Sequence, residues 1–154
     1  EVVVLGTAGM LDDLLDLNTV YRITGTMQHD FEFPTDTLVL NSDGSVTAVS
    51  PTEWETGRYI PEDSPAEAEA VIATGDVFVT DDTLREELLT LGAHLVDMES
   101  YAYAALCQVF EIPIRIYKIP SDLADSATTH LTWDEIVAHK STQLREFAQR
   151  EGLV

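Results

Sequence analysis

Leu95-Val96-Asp97-Met98-Glu99-Ser100 reads as an apolar strand that ends abruptly in carboxylates, and Lys118-Ile119-Pro120-Ser121-Asp122 repeats the pattern one helix later. A strand that delivers charge at its C-terminal end, followed by a helix and a second such strand, is how open α/β sheets build ligand crevices. The joining segment, 100–110, has helical composition. It carries Tyr101, Ala105 and Val109 at spacings of four, with small residues suited to close packing on a sheet.

Outward from that core, Val2-Val3-Val4-Leu5 is a continuous apolar run, the pattern of a strand covered on both faces. Gly6-Thr7-Ala8-Gly9 follows and reads as a tight turn that lets backbone approach a ligand closely. Ala70-Val71-Ile72-Ala73 is another buried strand and leads into Gly75-Asp76-Val77-Phe78-Val79. Asp81-Asp82 then caps a helix with Leu84, Leu88, Leu89 and Leu91 on one face, which Gly92 closes. Pro113 breaks the chain before a strand over 114–119. A last helix, roughly 132–150, starts at Thr132 with Glu135 at capping-box spacing, and Trp133, Ile136, Val137, Leu144 and Phe147 form its buried stripe. Strand–helix alternation makes the class α/β, a mixed central sheet flanked by helices in one domain over 1–154.

Two stretches are less regular. Residues 20–29 are strand material ending in His29-Asp30, a pair that reads either as a proton-transfer couple or as an ordinary structural histidine. Turn residues dominate 41–65, which is expected to hold a hairpin around Asp43-Gly44 and a flexible flap.

Composition excludes more than it names. Eight Lys+Arg against 28 Asp+Glu give a formal charge of -20 over 154 residues. That field repels nucleic acid and anionic membrane surfaces, so neither is expected as a partner. The single Cys107 lies among Ala104, Ala105 and Leu106 and is expected to be a buried free thiol, consistent with a reducing cytoplasm. His29, His94, His130 and His139 share no ligand spacing, so no metal or other cofactor is expected. Ser100 and Ser121 lack a nucleophile-elbow motif. From the residues alone, Glu99 and Asp122 converge on one crevice. Each also has a plain structural reading, Glu99 as a helix-dipole cap and Asp122 as a turn former.

Taken in order, Gly6-Thr7-Ala8-Gly9, Gly75-Asp76-Val77-Phe78-Val79, Val96-Asp97-Met98-Glu99-Ser100 and Ser121-Asp122-Leu123-Ala124-Asp125 resemble the nucleoside phosphorylase/nucleosidase superfamily. The branch they are most similar to is that of 5′-methylthioadenosine/S-adenosylhomocysteine nucleosidases and related bacterial nucleosidases, enzymes of methionine salvage. The resemblance implies that Asp122 is the acid that protonates the purine N7 and that Ser121 orients it. It further implies that Glu99 binds the ribose hydroxyls, Met98 walls the ribose, Phe78 stacks on the base and the backbone of Val79 reads the base edge. Thr7, Ala8 and Gly9 would stand near the nucleophile. A homodimer is implied, with residues 28–34 reaching the partner.

Departures from the family pattern bear on the nucleophile. Superfamily phosphorylases place a phosphate-binding arginine where this chain has Val4, which favours water over phosphate. Lys118 stands where arginine is usual, supplying charge without a planar two-point clamp, and Pro120 stiffens the approach to Ser121. The family's N-terminal strand and helix, with the glutamate that activates the water, have no match in the sequence, and no acid here corresponds to that glutamate. The expected activity is hydrolysis of a purine nucleoside. A phosphate-dependent phosphorylase and a non-catalytic nucleoside-binding module are the alternatives.

Overall fold

β1 (Val2–Met10) and β7 (Ile114–Asp122) run side by side in parallel from Val2↔Ile114 to Ala8↔Pro120, and this pair is the spine of the molecule. The structure, a computed structural model, describes residues 1–31, 33, 35–55, 68–127 and 133–154. β1 corrects one expectation: Gly6-Thr7-Ala8-Gly9 is not a turn but the second half of a nine-residue strand. A bulge between Ala8 and Gly9 shifts the register so that Gly9 faces Asp122. Glycine is needed there for close packing. A Cβ on Gly9 would lie 2.9 Å from the Ala124 Cβ, 3.0 Å from a Val96 methyl and 3.3 Å from Asp122 Oδ1.

β2 (Tyr21–Gln28) pairs with the hairpin β3 (Thr37–Leu40) and β4 (Val46–Val49) on one side and with β5 (Glu69–Thr74) on the other. β6 (Leu95–Asp97) lies between β5 and β1, giving the order β4-β3-β2-β5-β6-β1-β7. β7 also pairs with β2, through Tyr21↔Lys118 and Arg22↔Tyr117, so β2, β5, β6, β1 and β7 close into a ring. The expected hairpin is present, with Gly44 at φ 85° donating to the Asn41 carbonyl at 3.0 Å. The 56–65 part of the expected flap lies outside the described residues.

Alternation along the strands divides the core in two. Ala70 and Ile72 of β5, with Leu95, Ile114 and Ile116, face one cluster, while Val71, Ala73 and Val96 face another. This is the two-sided burial that continuous apolar runs predict. Ile72, Leu95, Ile114 and Ile116 are fully buried, each contributing about 1.5–3 kcal/mol by area.

α1 (Pro51–Glu55) is short, and its Trp54 indole donates to the Leu91 carbonyl at 3.1 Å. α2 (Asp82–Thr90) is capped as expected, Asp81 accepting from the Leu84 amide at 2.9 Å, with Gly92 at φ 87° just past its end. Of its leucines only Leu88 is buried, and Leu91 is exposed. α3 (Ser100–Val109) buries Ser100, Ala104 and Cys107, with Tyr101 and Ala105 partly buried against the same core and Val109 74% exposed. The small side chains face the sheet because they permit the closest approach. In α4 (Trp133–Arg150) Leu144 is buried as expected, joined by Ala148 and Lys140, while Thr132 and the Trp133 side chain lie outside the described residues. Lys140 donates to the Leu17 carbonyl and to Asn18 Oδ1, fastening α4 to the loop after β1. Among the described residues no helix is long and apolar enough to cross a membrane.

Candidate active site

The C-terminal halves of β1 and β7 and the ends of β5 and β6 surround a half-open crevice of about 140 Å³. All nine residues singled out from the sequence line it: Thr7, Ala8 and Gly9 from β1, Phe78 and Val79 after β5, Met98 and Glu99 after β6, and Ser121 and Asp122 at the end of β7. Val77, Val96, Asp97 and Ala124 complete the lining. The wall is mostly apolar, with Asp97, Glu99 and Asp122 as its charged groups. None of these lining residues is lysine or arginine. The volume is below the ~300–1,000 Å³ of typical small-molecule sites, so a ligand of ordinary size would fill the crevice and extend through its mouth.

Asp97 has the densest bonding. Its side chain is 2% exposed, yet both oxygens are satisfied. Thr74 Oγ1 donates to Oδ1 at 2.7 Å, Ser100 Oγ donates to Oδ2 at 2.5 Å, and the Ser100 amide donates to both oxygens at 3.2 Å. Lys118 Nζ, itself buried, closes the set at 2.7 Å from Oδ2. The Tyr101 amide donates to Thr74 Oγ1 at 3.1 Å. Two orphan N–H groups at the start of α3 are thus occupied from outside the helix.

Glu99 differs in every respect. It holds the N-cap position of α3 at φ -138°, ψ -27° but makes no side-chain cap hydrogen bond. The capping role that the sequence allowed for Glu99 belongs to Asp97. The Glu99 carboxylate is 52% exposed and sits 3.7 Å from Lys118 Nζ.

Asp122 does form a turn, its Oδ1 accepting from the Ala124 amide at 2.9 Å. Ala124 adopts φ 47°, a left-handed conformation that costs a non-glycine residue about 1–2 kcal/mol. Ser121 Oγ lies 2.7 Å from Asp122 Oδ2 and 3.2 Å from the Ala8 carbonyl oxygen. A hydroxyl has one hydrogen, so these two contacts are alternatives unless Asp122 carries the proton and donates to Ser121.

Other candidates are not brought to the crevice. His29 folds over Gly75, where a Cβ would meet its Nε2 at 2.3 Å, and burial pushes its pKa below the ordinary value. Asp30 accepts from the Asp76 amide at 2.6 Å, and neither His29 nor Asp30 lines the crevice. His94 Nδ1 accepts from the Val71 amide at 3.0 Å, a structural use. Val4 packs on the core beneath β1. No cluster of three or more His, Cys, Asp or Glu suited to a metal occurs among the described residues. What sequence reasoning missed is the bonding of Asp97. Its signal was present, an aspartate three residues ahead of Ser100 at a strand-to-helix junction, but the nearer Glu99 drew the capping role.

The sequence profile of the phosphorylase superfamily matches residues 1–150. The aminodeoxyfutalosine nucleosidase of Helicobacter pylori is 29% identical over 157 residues, covering 93% of this chain and 65% of its own. The 5′-methylthioadenosine/S-adenosylhomocysteine nucleosidase of Haemophilus ducreyi is 28% identical, with the same coverage of 93% and 65%. The chain therefore spans about two thirds of the length of these curated relatives. Among solved structures, the Helicobacter pylori 5′-methylthioadenosine/S-adenosylhomocysteine nucleosidase with butyl-thio-DADMe-Immucillin-A superposes with a TM-score of 0.74. It is 24% identical and covers 97% of this chain and 66% of that one. The native futalosine hydrolase of the same organism gives a TM-score of 0.73 at 21% identity, with coverage of 97% and 66%.

Proposed function

This chain belongs to the phosphorylase superfamily, and from that premise we propose that it hydrolyses the N-glycosidic bond of a purine nucleoside of the methylthioadenosine or S-adenosylhomocysteine type. The observation that carries the reading is the pair of carboxylates, Glu99 and Asp122, delivered by two strand ends to one apolar crevice. The curated relatives, both named as nucleosidases, support it.

The chemistry follows from what each group can do. Departure of a purine leaves positive charge on the sugar, so the barrier falls when the base leaves neutral and the sugar is held. Asp122, steadied by Ser121 and the Ala124 amide, donates the proton to the base. Glu99 accepts hydrogen bonds from the two ribose hydroxyls, one carboxylate serving both. Phe78 and Met98 supply the apolar faces for base and sugar, Val79 offers its backbone to the base edge, and Thr7, Ala8 and Gly9 border the attacking water. Water is favoured over phosphate because a phosphate dianion entering among three carboxylates would find no lysine or arginine among the described lining residues. No cofactor enters this chemistry.

The same reading extends to assembly and place. Phe31 and Phe33 are 60% and 72% exposed, supporting residues 28–34 as the contact of a homodimer. A lone buried thiol supports a reducing cytoplasm, and a methylthioadenosine-type substrate fits a role in methionine salvage. The function is tested by incubating a panel of purine nucleosides with the protein, with and without phosphate. Free base released without phosphate is the expected result. A strict phosphate requirement would instead establish a phosphorylase, and binding without product a nucleoside-binding module.

A further inference from the structure

Lys118 is the one described lysine buried against the crevice, 3% exposed on β7 and paired with Asp97. Burying an ammonium is costly unless it is paired and hydrogen-bonded. Asp97 supplies the ion pair, its Oδ2 2.7 Å from Nζ, while Thr74 and Ser100 donate to its oxygens. An ammonium carries three donors, and one carboxylate does not occupy them all. The next anion is Glu99, whose carboxylate is 3.7 Å away, within ion-pair range and beyond a hydrogen bond. Space for the ammonium is made by Gly6, the partner of Lys118 across β1 and β7, where a Cβ would lie 3.0 Å from Nζ.

Glu99 needs such a restraint. It makes no cap bond and is half exposed. A free glutamate must give up rotamer freedom to be fixed in one geometry. We propose that Lys118, locked by Asp97, is a positioning residue that holds the Glu99 carboxylate ready for a vicinal diol, and so sets the preference for ribosides over 2′-deoxyribosides. The pair is a buried brace whose ammonium stands within ion-pair range of the half-exposed Glu99 carboxylate. This rests on the reading of Glu99 as the ribose-binding group, and the test separates the two.

Binding of a non-hydrolysable, carbon-linked analogue of methylthioadenosine, its 2′-deoxy counterpart and free adenine is measured by calorimetry for the native protein, Lys118→Met, the neutral pair Asp97→Asn with Lys118→Met, and Gly6→Ala. The native protein is expected to prefer the riboside, and Lys118→Met to lower that preference about tenfold with adenine affinity unchanged, as for loss of support to a charged hydrogen-bonding group. The neutral pair avoids an unpaired buried charge and is expected to show the same loss if the single variant fails to fold. Gly6→Ala, which crowds the ammonium but keeps its charge, is expected to shift the preference in the same direction by less. A riboside preference that survives in the neutral pair, or a parallel fall in adenine and riboside affinity, would overturn the assignment of Lys118. A native protein that binds none of the three ligands would overturn the nucleoside reading itself.

Discussion

Asp97 and Glu99 are two residues apart, carry the same charge and stand at the same strand-to-helix junction, yet the fold uses them in opposite ways. Asp97 is sealed in, with both oxygens bonded to Thr74, Ser100 and Lys118. Glu99 is half exposed at the crevice and has no cap bond. The end of β7 combines both modes in one residue, since Asp122 is bonded on each oxygen and still faces the crevice. An acid at a strand end is thus not in itself a functional group. What separates Asp97 from Glu99 is whether the lone pairs are already filled.

The sharpest way to break the comparison is to remove each acid in turn. Asp97→Ala leaves the Lys118 ammonium buried without its partner and is expected to cost about 3–5 kcal/mol in stability, read by denaturant unfolding. Glu99→Gln should stay within about 0.5 kcal/mol of native stability, as surface substitutions do, while weakening riboside binding about tenfold or more. Equal destabilisation by both would erase the distinction.

Asp122→Asn removes the proposed proton donor and is expected to lower the rate of base release by about 10²- to 10⁴-fold, measured as free adenine per unit time. Gly9→Ala probes the packing that brings β1 against that acid. Its new methyl would meet Ala124 and Val96 at 2.9 and 3.0 Å, so a loss of about 1–3 kcal/mol in stability is expected, together with reduced turnover.

The smallest effect concerns His29, a half-buried histidine outside the crevice lining. Burial holds its pKa below 6.5, so the folded protein binds fewer protons there than the unfolded chain. Folding is therefore penalised progressively as pH falls through 6.5 toward the lower folded value, and the penalty is absent above that range. The thermal midpoint of His29→Gln should fall less between pH 7.5 and pH 5.5 than that of the native protein. The shift is partial because His94, also depressed by burial, remains.

The sequence made the strand ends legible because apolar runs that stop in acids are a local signal, and the crevice lining followed from their order along the chain. The second half of β1 was not legible. Gly6-Thr7-Ala8-Gly9 has the composition of a turn, and only pairing with β7, over a hundred residues away, holds it extended. The Asp97–Lys118 brace was hidden for the same reason, since an ion pair across 21 positions leaves no periodicity to read. Lys140 was missed because a charged residue on a helix reads as its wet side, whereas its ammonium reaches back to the Leu17 carbonyl. Local patterns report elements. Which acid is spent on the fold is decided between elements.

The division of labour between the two strand ends is tested most directly by changing the leaving group. Adenine release from methylthioadenosine needs a proton on the base, whereas 4-nitrophenolate leaves a 4-nitrophenyl riboside without one. Asp122→Asn is predicted to abolish most adenine release while sparing hydrolysis of the nitrophenyl riboside, and Glu99→Gln to slow both. An Asp122→Asn variant that slows both substrates equally, or neither, would contradict the account.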